Sequence, residues 1–301
     1  MNLAPIILFT YKRLDTLQRC VASLQKCPES AESDLIIVSD YAAKEEDLEK
    51  VKAVRQFLPT IKGFKTIEII ERTQNLGVDY NIIEGIKLMS ARFSQFIVVE
   101  DDLVVQDGFL HFLNTSLDFY ANDPKVLSVT GFSFVDKIPT TYPYCGYFAK
   151  RTCPWGWGTW SHKIKEVDWE IADKTEFLDS RKIQKDFNEW GSDRSSMLTN
   201  TLVGKVRAWD IRLDYHQFKE GSCTLYPIAT FVDNIGFNND DASNTFGYNR
   251  FKTKLKEGHA DHYRLPEAIF YDPTISKKFI SKNSLKQRIF TRMMKFINYK
   301  N

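Results

Sequence analysis

The 301-residue sequence lacks several patterns that would place it in a familiar class of protein. Its five cysteines form neither an even set of disulfide partners nor a CxxC metal-binding pair. No apolar run approaches the roughly 20 residues that a transmembrane helix requires. The first residues also have no charged stretch followed by a long apolar one. We therefore expect a reduced, cytoplasmic protein without a signal peptide.

Two nucleotide-binding loops are also missing. No GxGxxG follows the first predicted strand, and no GxxxxGK[ST] occurs anywhere, which argues against a dinucleotide fingerprint and a P-loop. The formal net charge of +2 gives no general reason to expect a nucleic-acid partner. A hydrophobic content of 43% is ordinary for a globular protein that buries a large core.

The first hundred residues alternate between short apolar runs and stretches of helical periodicity. The runs at residues 6–9, 35–38, 66–70 and 96–99 have the length of buried strands. Helices are predicted from about residue 14, over residues 45–57 and over residues 79–93. Such alternation predicts an α/β fold with a mostly parallel sheet flanked by helices.

The later part of the chain departs from this alternation. A helix is predicted at residues 108–120 and a strand at residues 126–134. Residues 181–204 have a helical pattern with a break at residues 190–193. The polar loop at residues 238–244 is compatible with a mobile lid, although a plain surface loop is the better explanation.

Three carboxylates follow the fourth predicted strand directly, as Glu100, Asp101 and Asp102. Adjacent acids at the end of a buried strand repel one another, so a cation is expected nearby. Carboxylates without neighbouring His or Cys suit a hard ion such as Mg²⁺ or Mn²⁺. The competing interpretation is a solvated turn in which Asp107 or a neighbour caps the next helix.

Polar residues follow the other strands at the same edge of the predicted sheet. They are residues 10–13, Asp40, and Arg72 with Asn75. The carboxyl ends of parallel strands are where ligands bind in open α/β sheets. These strand ends therefore predict a common pocket.

Residues 151–160 interleave tryptophan with glycine, which disfavours both a helix and a strand interior. Glycine lets the backbone approach a ligand, and flat indole faces stack on the apolar faces of sugar rings. A tryptophan-lined plug between two parts of the domain is the alternative, and both interpretations stay open.

The C-terminal segment is strongly basic. After Asp272 the chain contains eight Lys and Arg residues and no acidic residue. A predicted helix places Leu285, Ile289, Met293, Phe296 and Ile297 on one face. This pattern is typical of a helix at a membrane surface, but a helix docked on the domain explains the same stripe.

With these residues in view, the chain resembles the GT-A glycosyltransferases, which use nucleotide-sugars. The nearest groups are bacterial polysaccharide glycosyltransferases related to family 2 and the N-acetylglucosaminyltransferase I group. The matching segments are PIILFTYKR (5–13), SD (39–40), NLG (75–77), EDD (100–102), CPWGWGTW (153–160), WDIR (209–212) and NIGF (234–237). They occur in the family's order over about residues 1–240, and EDD takes the place of the DxD-type motif.

The resemblance implies a donor site at the sheet edge. Asp102 would bind Mn²⁺ or Mg²⁺, and the metal would hold the donor diphosphate. The resemblance places the base and ribose against Thr10, Arg13, Asp40 and Asn75. Glu100 and Asp101 would lie near the ribose and sugar of the donor.

The resemblance also implies an acceptor site. An inverting transfer needs a carboxylate to take the acceptor proton, and Asp210 is our choice, with Asp193 and Asp214 as alternatives. The loop bearing Trp155, Trp157 and Trp160 would line the acceptor.

Taken with these features, the resemblance implies a metal-dependent hexosyltransferase that acts on a UDP-sugar and a glycan or lipid-linked acceptor in cell-surface polysaccharide synthesis. The expected domains are residues 1–240, with a donor half to 135 and an acceptor half after it, and a C-terminal extension from 241. The basic helix would contact the inner face of the membrane. The alternatives are a sugar-phosphate nucleotidyltransferase, a glycoside hydrolase and a noncatalytic sugar-binding module.

Overall fold

The computed structural model describes residues 3–236, 251, 255 and 263–298. The predicted loop at residues 238–244 and Phe237 of the NIGF segment lie outside the described residues. In the last helix, side chains are described as far as residue 291 and for Met293, so Phe296 and Ile297 of the predicted stripe also lie outside.

Strands and helices alternate through the first hundred residues, as predicted. The elements are β1 (Ile6–Thr10), α1 (Leu14–Leu24), β2 (Asp34–Ser39), α2 (Leu48–Phe57), β3 (Thr66–Glu71), α3 (Gly77–Arg92) and β4 (Gln95–Glu100). Next come β5 (Leu103–Val105), α4 (Phe109–Phe119), β6 (Val126–Thr130), β7 (Gly146–Ala149) and β8 (Trp157–Trp160).

The remaining elements are mostly helical. They are α5 (Ser161–Ile164), α6 (Lys174–Asp179), α7 (Arg181–Phe187), α8 (Arg194–Leu202), α9 (Asp210–Lys219), β9 (Cys223–Pro227), β10 (Val232–Asn234), α10 (Pro273–Lys282) and α11 (Leu285–Asn298). A 3-10 turn at Asn188–Trp190 and the residues after it separate α7 from α8, where the break was predicted.

Among the described residues, the main sheet has eight strands in the order β3-β2-β1-β4-β8-β6-β9-β7. Strands β1 to β4 are parallel to one another, β6 is parallel to β9, and only β8 and β7 run against their neighbours. A separate antiparallel pair joins β5 to β10. The predicted α/β fold, a mostly parallel sheet flanked by helices, is confirmed, and helices α10 and α11 follow it.

Side chains of β1 alternate between two cores on opposite faces of the sheet. Ile6 and Leu8 pack in the core that includes Leu17 and Leu24 of α1, whereas Ile7 and its neighbour Phe9 pack with α3. Each fully buried side chain of this kind stabilises the fold by about 1.5–3 kcal/mol. Because both faces are covered, the sheet edge is the exposed part at which polar strand ends can meet a ligand.

The prediction that the Trp-Gly stretch disfavours a strand is wrong for Trp157–Trp160. These residues form β8, which pairs with β4 on one side and β6 on the other. A Cβ on Gly158 would lie 2.9 Å from Leu117 Cδ1 of α4. The glycine therefore lets a helix pack closely on the strand, and no ligand is needed to explain it.

Two further boundaries differ from the predictions. Strand β6 ends at Thr130 and not at residue 134, since the chain turns at Gly131, whose N–H donates to Gly156 O (2.7 Å). Helix α10 was not predicted, although Asp272 before Pro273 is a typical helix start. Asp272 Oδ1 accepts from Thr274 N and Ile275 N, both at 2.9 Å. Among the described residues, no helix has the length and apolar character needed to cross a membrane.

Candidate active site

The acidic triplet meets the residues that follow β1. Strands β1 and β4 are parallel neighbours with Phe9 opposite Glu100. Arg13 Nη2 lies 2.6 Å from Asp101 Oδ1 and 3.0 Å from Asp102 Oδ2. Arg13 is therefore a cation supplied by the chain itself at the place where the sequence predicts one.

Asp101 is held by further donors from the same segment. Its Oδ2 accepts from Thr10 Oγ1 (3.0 Å) and from Tyr11 N (3.3 Å). The exposed fractions of Asp101 and Asp102 are only 4% and 9%, so the interpretation of the triplet as a solvated turn is wrong. Asp107 accepts from the adjacent Gly108 N (3.0 Å), but Gly108 is the N-cap of α4 and no side chain of the described residues caps this helix.

Negative charge still accumulates around Glu100. Burial raises the pKa of Glu100 well above its usual range, and the charges of Asp102 and Asp210 raise it further. Burial also raises the pKa of Asp102, although Arg13 opposes this. No hydrogen bond joins the Glu100 carboxylate to another residue in the described part of the chain. A further cation at this point would relieve the repulsion.

The carboxylates fit a divalent metal that substrate oxygens complete. Within the described residues, no three or more His, Cys, Asp or Glu side chains are grouped so as to hold a metal. Mg²⁺, however, is commonly held by one or two carboxylates together with substrate phosphates. Asp102 suits that arrangement because its carboxylate adjoins a glycine. A Cβ on Gly236 would lie 2.2 Å from Asp102 Oδ2, so the glycine keeps this carboxylate accessible.

A cavity of about 580 Å³ opens beside β1 and α3. All six residues predicted to bind the donor line it, namely Thr10, Arg13, Asp40, Asn75, Glu100 and Asp101. We call it the first cavity. Arg72, which was predicted at the same edge, is not among the lining residues, and its Nε donates to Asn81 Oδ1 (3.1 Å).

Asp40 anchors the loop that leads into α3. Its two oxygens accept from Tyr41 N, Leu76 N and Gly77 N at 2.9–3.0 Å, and from Asn75 Nδ2 at 3.1 Å. Asn75 Nδ2 also donates to Tyr41 O (2.6 Å). These bonds set the shape of the cavity wall before any ligand arrives.

A second cavity of about 460 Å³ lies on the other side of the acids. Asp102 and Asp210 line it, as do Trp155 and Met197. Asp210 is the first residue of α9. Burial raises the pKa of Asp210 to about 6; the negative charge of Asp214 adds to this and Arg151 opposes it. A carboxylate of this kind is ionised near neutral pH and is a stronger base than ordinary aspartate.

The two alternative bases are held in ion pairs. Asp193 accepts from both Nη atoms of Arg151 (2.8 and 2.9 Å). Asp214, 3% exposed, accepts from Arg194 (2.7 and 3.0 Å) and from Thr152 N (2.9 Å). Neither aspartate lines the first or the second cavity.

The prediction that Trp157 and Trp160 face an acceptor is wrong. Their exposed fractions are 1% and 2%, because β8 is paired on both sides and covered on both faces. Trp157 stacks on Trp209 with ring centroids 5.7 Å apart. Trp160 Nε1 donates to Leu117 O (2.9 Å). Only the half-buried Trp155, of the three predicted tryptophans, lines the second cavity.

The two cavities are adjacent and share lining residues, including Arg13, Glu100 and Arg207, and we call this shared wall the junction. Arg207 crosses the start of α3. Gly77 has a φ of +76°, and a Cβ there would lie 2.5 Å from Arg207 Nη1.

Lys205, which lines the first cavity, and Arg207, which lines both, are the charged cavity residues that the sequence patterns did not identify. Their closeness in sequence to Trp209 and Asp210 was the available signal.

Comparison with known proteins supports the resemblance predicted from the sequence. Residues 6–145 match the family described as Glycosyl transferase family 2. The match confirms the resemblance to nucleotide-sugar glycosyltransferases and supports glycosyl transfer as the general activity. A search of curated proteins gave no match.

Two solved structures show partial similarity. One is the mannosyltransferase PcManGT from Pyrobaculum calidifontis in complex with GDP-Man and Mn²⁺, at 11% identity and a TM-score of 0.38, covering 55% of this chain and 46% of that one. The other is TarS of S. aureus, at 13% identity and a TM-score of 0.37, covering 56% of this chain and 30% of that one. This chain thus spans less than half of either neighbour.

Proposed function

We propose that the protein is a metal-dependent glycosyltransferase that transfers a hexose or N-acetylhexosamine from a UDP-sugar to a glycan or lipid-linked acceptor. One observation carries the proposal: two adjacent cavities share a junction that is lined by Arg13, Glu100 and Arg207. A transferase needs two substrates in contact at one point, with charged groups there to act on the bond that breaks. The division into a donor half to residue 135, an acceptor half to residue 240 and a C-terminal extension belongs to the same proposal.

The first cavity would hold the nucleotide of the donor. Asp40 and Asn75 form its rigid wall, against which the base and ribose would lie, with Thr10 at the end of β1. The donor diphosphate would then extend toward the junction, where Arg13 and Arg207 provide positive charge.

Asp102 would hold Mn²⁺ or Mg²⁺ together with diphosphate oxygens. The metal, when bound, stabilises the negative charge that develops on the departing diphosphate. Binding of this ion would compete with Arg13 for Asp102 Oδ2, so we expect Arg13 to shift its contact toward Asp101 or the diphosphate.

The second cavity would hold the acceptor. Asp210 lines this cavity and would accept the proton of the attacking acceptor hydroxyl, which corresponds to an inverting transfer. The half-buried Trp155 offers a ring surface on which a sugar can stack. Asp193 and Asp214 are less suited to this role, since both are already paired with arginines.

We also propose that the reaction belongs to cell-surface polysaccharide synthesis and takes place in the cytoplasm at the inner face of the membrane. A lipid-linked acceptor would be presented there. The basic C-terminal segment supports this placement, because cytoplasmic leaflets carry anionic lipids.

The decisive experiment is isothermal titration of UDP and GDP into the purified protein with and without Mn²⁺, repeated on Asp102→Asn. We expect UDP to bind more tightly with Mn²⁺, and Asp102→Asn to remove this gain. Asp186→Asn, at an exposed ion pair with Lys182, is the matched control and should behave as the wild type.

A screen of UDP-sugar hydrolysis would then identify the sugar. If neither nucleotide binds under any condition, the transferase proposal fails and a sugar-binding module or a hydrolase becomes the better explanation. If UDP binds equally well without metal and in Asp102→Asn, the metal site is contradicted while the donor site survives.

A further inference from the structure

Helix α11 rests on the domain through polar residues. Gln287 and Arg288 are half-buried and Thr291 is buried. Arg288 Nη1 donates to Ser192 O (2.8 Å), in the turn before α8. Residues at these spacings lie on one face of a helix. Among the described side chains of α11, the buried and half-buried ones are therefore all polar.

The apolar face of α11 points away from the domain. Leu285, Ile289 and Met293 are 59%, 50% and 58% exposed, and their spacing of four residues places them in one stripe. Helices of globular proteins normally show the opposite arrangement, with the apolar stripe toward the core. Helix α10 follows that rule, since its Ile275 and Phe279 are 2% and 0% exposed. The sequence left open whether the apolar stripe docks on the domain or faces a membrane surface. The orientation of α11 is incompatible with docking through the stripe.

The charge around this stripe restricts what can cover it. The chain has eight Lys and Arg residues and no Asp or Glu after Asp272. Lys277 of α10 and Lys286 of α11 are exposed. Two copies that paired through this segment would bring like charges together, which disfavours a symmetric dimer. A membrane with anionic headgroups over an apolar interior would match both the positive charge and the apolar stripe of the segment.

We infer that α11 docks on a membrane that contains anionic lipids. Leu285, Ile289 and Met293 enter the boundary between headgroups and acyl chains, and Lys286 on the same helix contacts lipid phosphates. Lys277 of α10 adds positive charge to the same segment. The inference refines the proposed location at the membrane and rests on that part of the proposed function. It is separate from the proposed chemistry, because Asp102 and Asp210 take no part in it.

The test is co-sedimentation of the full chain with phosphatidylcholine vesicles, with and without about one-third phosphatidylglycerol. We expect binding to the anionic vesicles that weakens with salt. The triple variant Leu285→Ser, Ile289→Ser, Met293→Ser should bind them on the order of tenfold or more weakly, since three exposed apolar side chains are lost.

The matched control is Leu48→Ser, Phe119→Ser, Val203→Ser, which removes three exposed apolar side chains elsewhere and should bind like the wild type. Lys277→Glu with Lys286→Glu provides a second test that leaves the apolar stripe intact, and it should reduce binding to anionic vesicles only. Thermal unfolding of each variant checks that it is folded.

Three results would overturn the inference. They are no binding of the wild type to anionic vesicles, equal loss of binding in the control triple variant, and equal binding to neutral and anionic vesicles. A dimer that the α11 triple variant abolishes, in a protein that ignores vesicles, would show that a second copy covers the stripe instead.

Discussion

The carboxylates on the two sides of the candidate active site are held in opposite ways. Beside the first cavity, Asp40 and Asp101 accept hydrogen bonds from backbone and side-chain donors on every side. Beside the second cavity, burial raises the pKa of Asp210 to about 6. A carboxylate with a raised pKa in a cavity is typical of a group that takes part in the chemistry, whereas a fully hydrogen-bonded one is typical of a group that fixes the shape of the site.

The largest expected effect tests the proposed role of Asp210 as the base. Asp210→Asn keeps the shape of the side chain but removes the base. We expect kcat for sugar transfer to fall about 10²- to 10⁴-fold, the usual contribution of a general base, with UDP affinity unchanged. Steady-state kinetics and titration of UDP measure the two quantities. A variant that retains wild-type kcat would mean that Asp210 is not the base.

The next largest effect concerns Asp214, a fully paired aspartate on the same helix as Asp210. Asp214→Asn removes one partner of a buried ion pair with Arg194, whose exposed fraction is 1%. We expect the free energy of unfolding to fall by about 3–5 kcal/mol, because Arg194 is left with uncompensated charge. Urea denaturation measures the change. A loss below about 1 kcal/mol would contradict this prediction, since the Asp214–Arg194 pair would then contribute no more than an ordinary surface ion pair.

Asp210→Asn should change stability in the opposite direction. Burial raises the pKa of Asp210 from 3.8 to about 6, so the ionised carboxylate opposes folding at neutral pH. Its removal should raise the free energy of unfolding by on the order of 1–3 kcal/mol at pH 7.5. The gain should shrink as the pH falls through 6 toward 4, where the wild-type carboxyl is protonated. Destabilisation at pH 7.5 would contradict the contrast between the two aspartates.

The pH dependence of the reaction checks the same group in the wild type. Asp210 is able to accept a proton only above its pKa of about 6. We therefore expect kcat to be level at pH 7–8 and to fall about tenfold per pH unit below 6. An acidic limb near 4 instead would indicate an aspartate of ordinary pKa.

The smallest effect concerns the junction between the cavities. Arg207→Ala should weaken UDP binding about tenfold, since one charge-assisted contact to the diphosphate is lost. Uridine, which has no phosphate, should lose nothing, and this distinguishes charge from a change in cavity shape. Lys219→Ala, remote from both cavities, is the control. Equal losses for UDP and uridine would assign Arg207 to the cavity wall.

The tryptophans show where sequence reasoning stopped. Trp155 and Trp157 are two residues apart and were assigned one role, but only Trp155 lines a cavity. Sequence periodicity could not assign them different roles, because glycine is rare inside strands and the alternating glycines gave no sign of the four-residue strand β8. The pairing of β8 with two strands that are distant in sequence buries Trp157 and leaves Trp155, which precedes β8, at the cavity.

Several features followed from the sequence by itself. Alternating apolar runs and helical periodicity predicted the α/β order of the first hundred residues. Polar residues after successive strands predicted the first cavity, because parallel strands bring their carboxyl ends to one edge. The acidic triplet likewise predicted a cation, since adjacent carboxylates repel one another in any fold and a nearby positive charge reduces that repulsion.

Only the tertiary structure decided which groups meet across long stretches of chain. It placed Arg13 as the cation beside the triplet, Arg207 at the junction, and Asp193 and Asp214 in ion pairs away from the cavities. It also turned the apolar stripe of α11 outward. A sequence pattern defines which residues share a face, but the direction of that face depends on packing against elements far away in the chain.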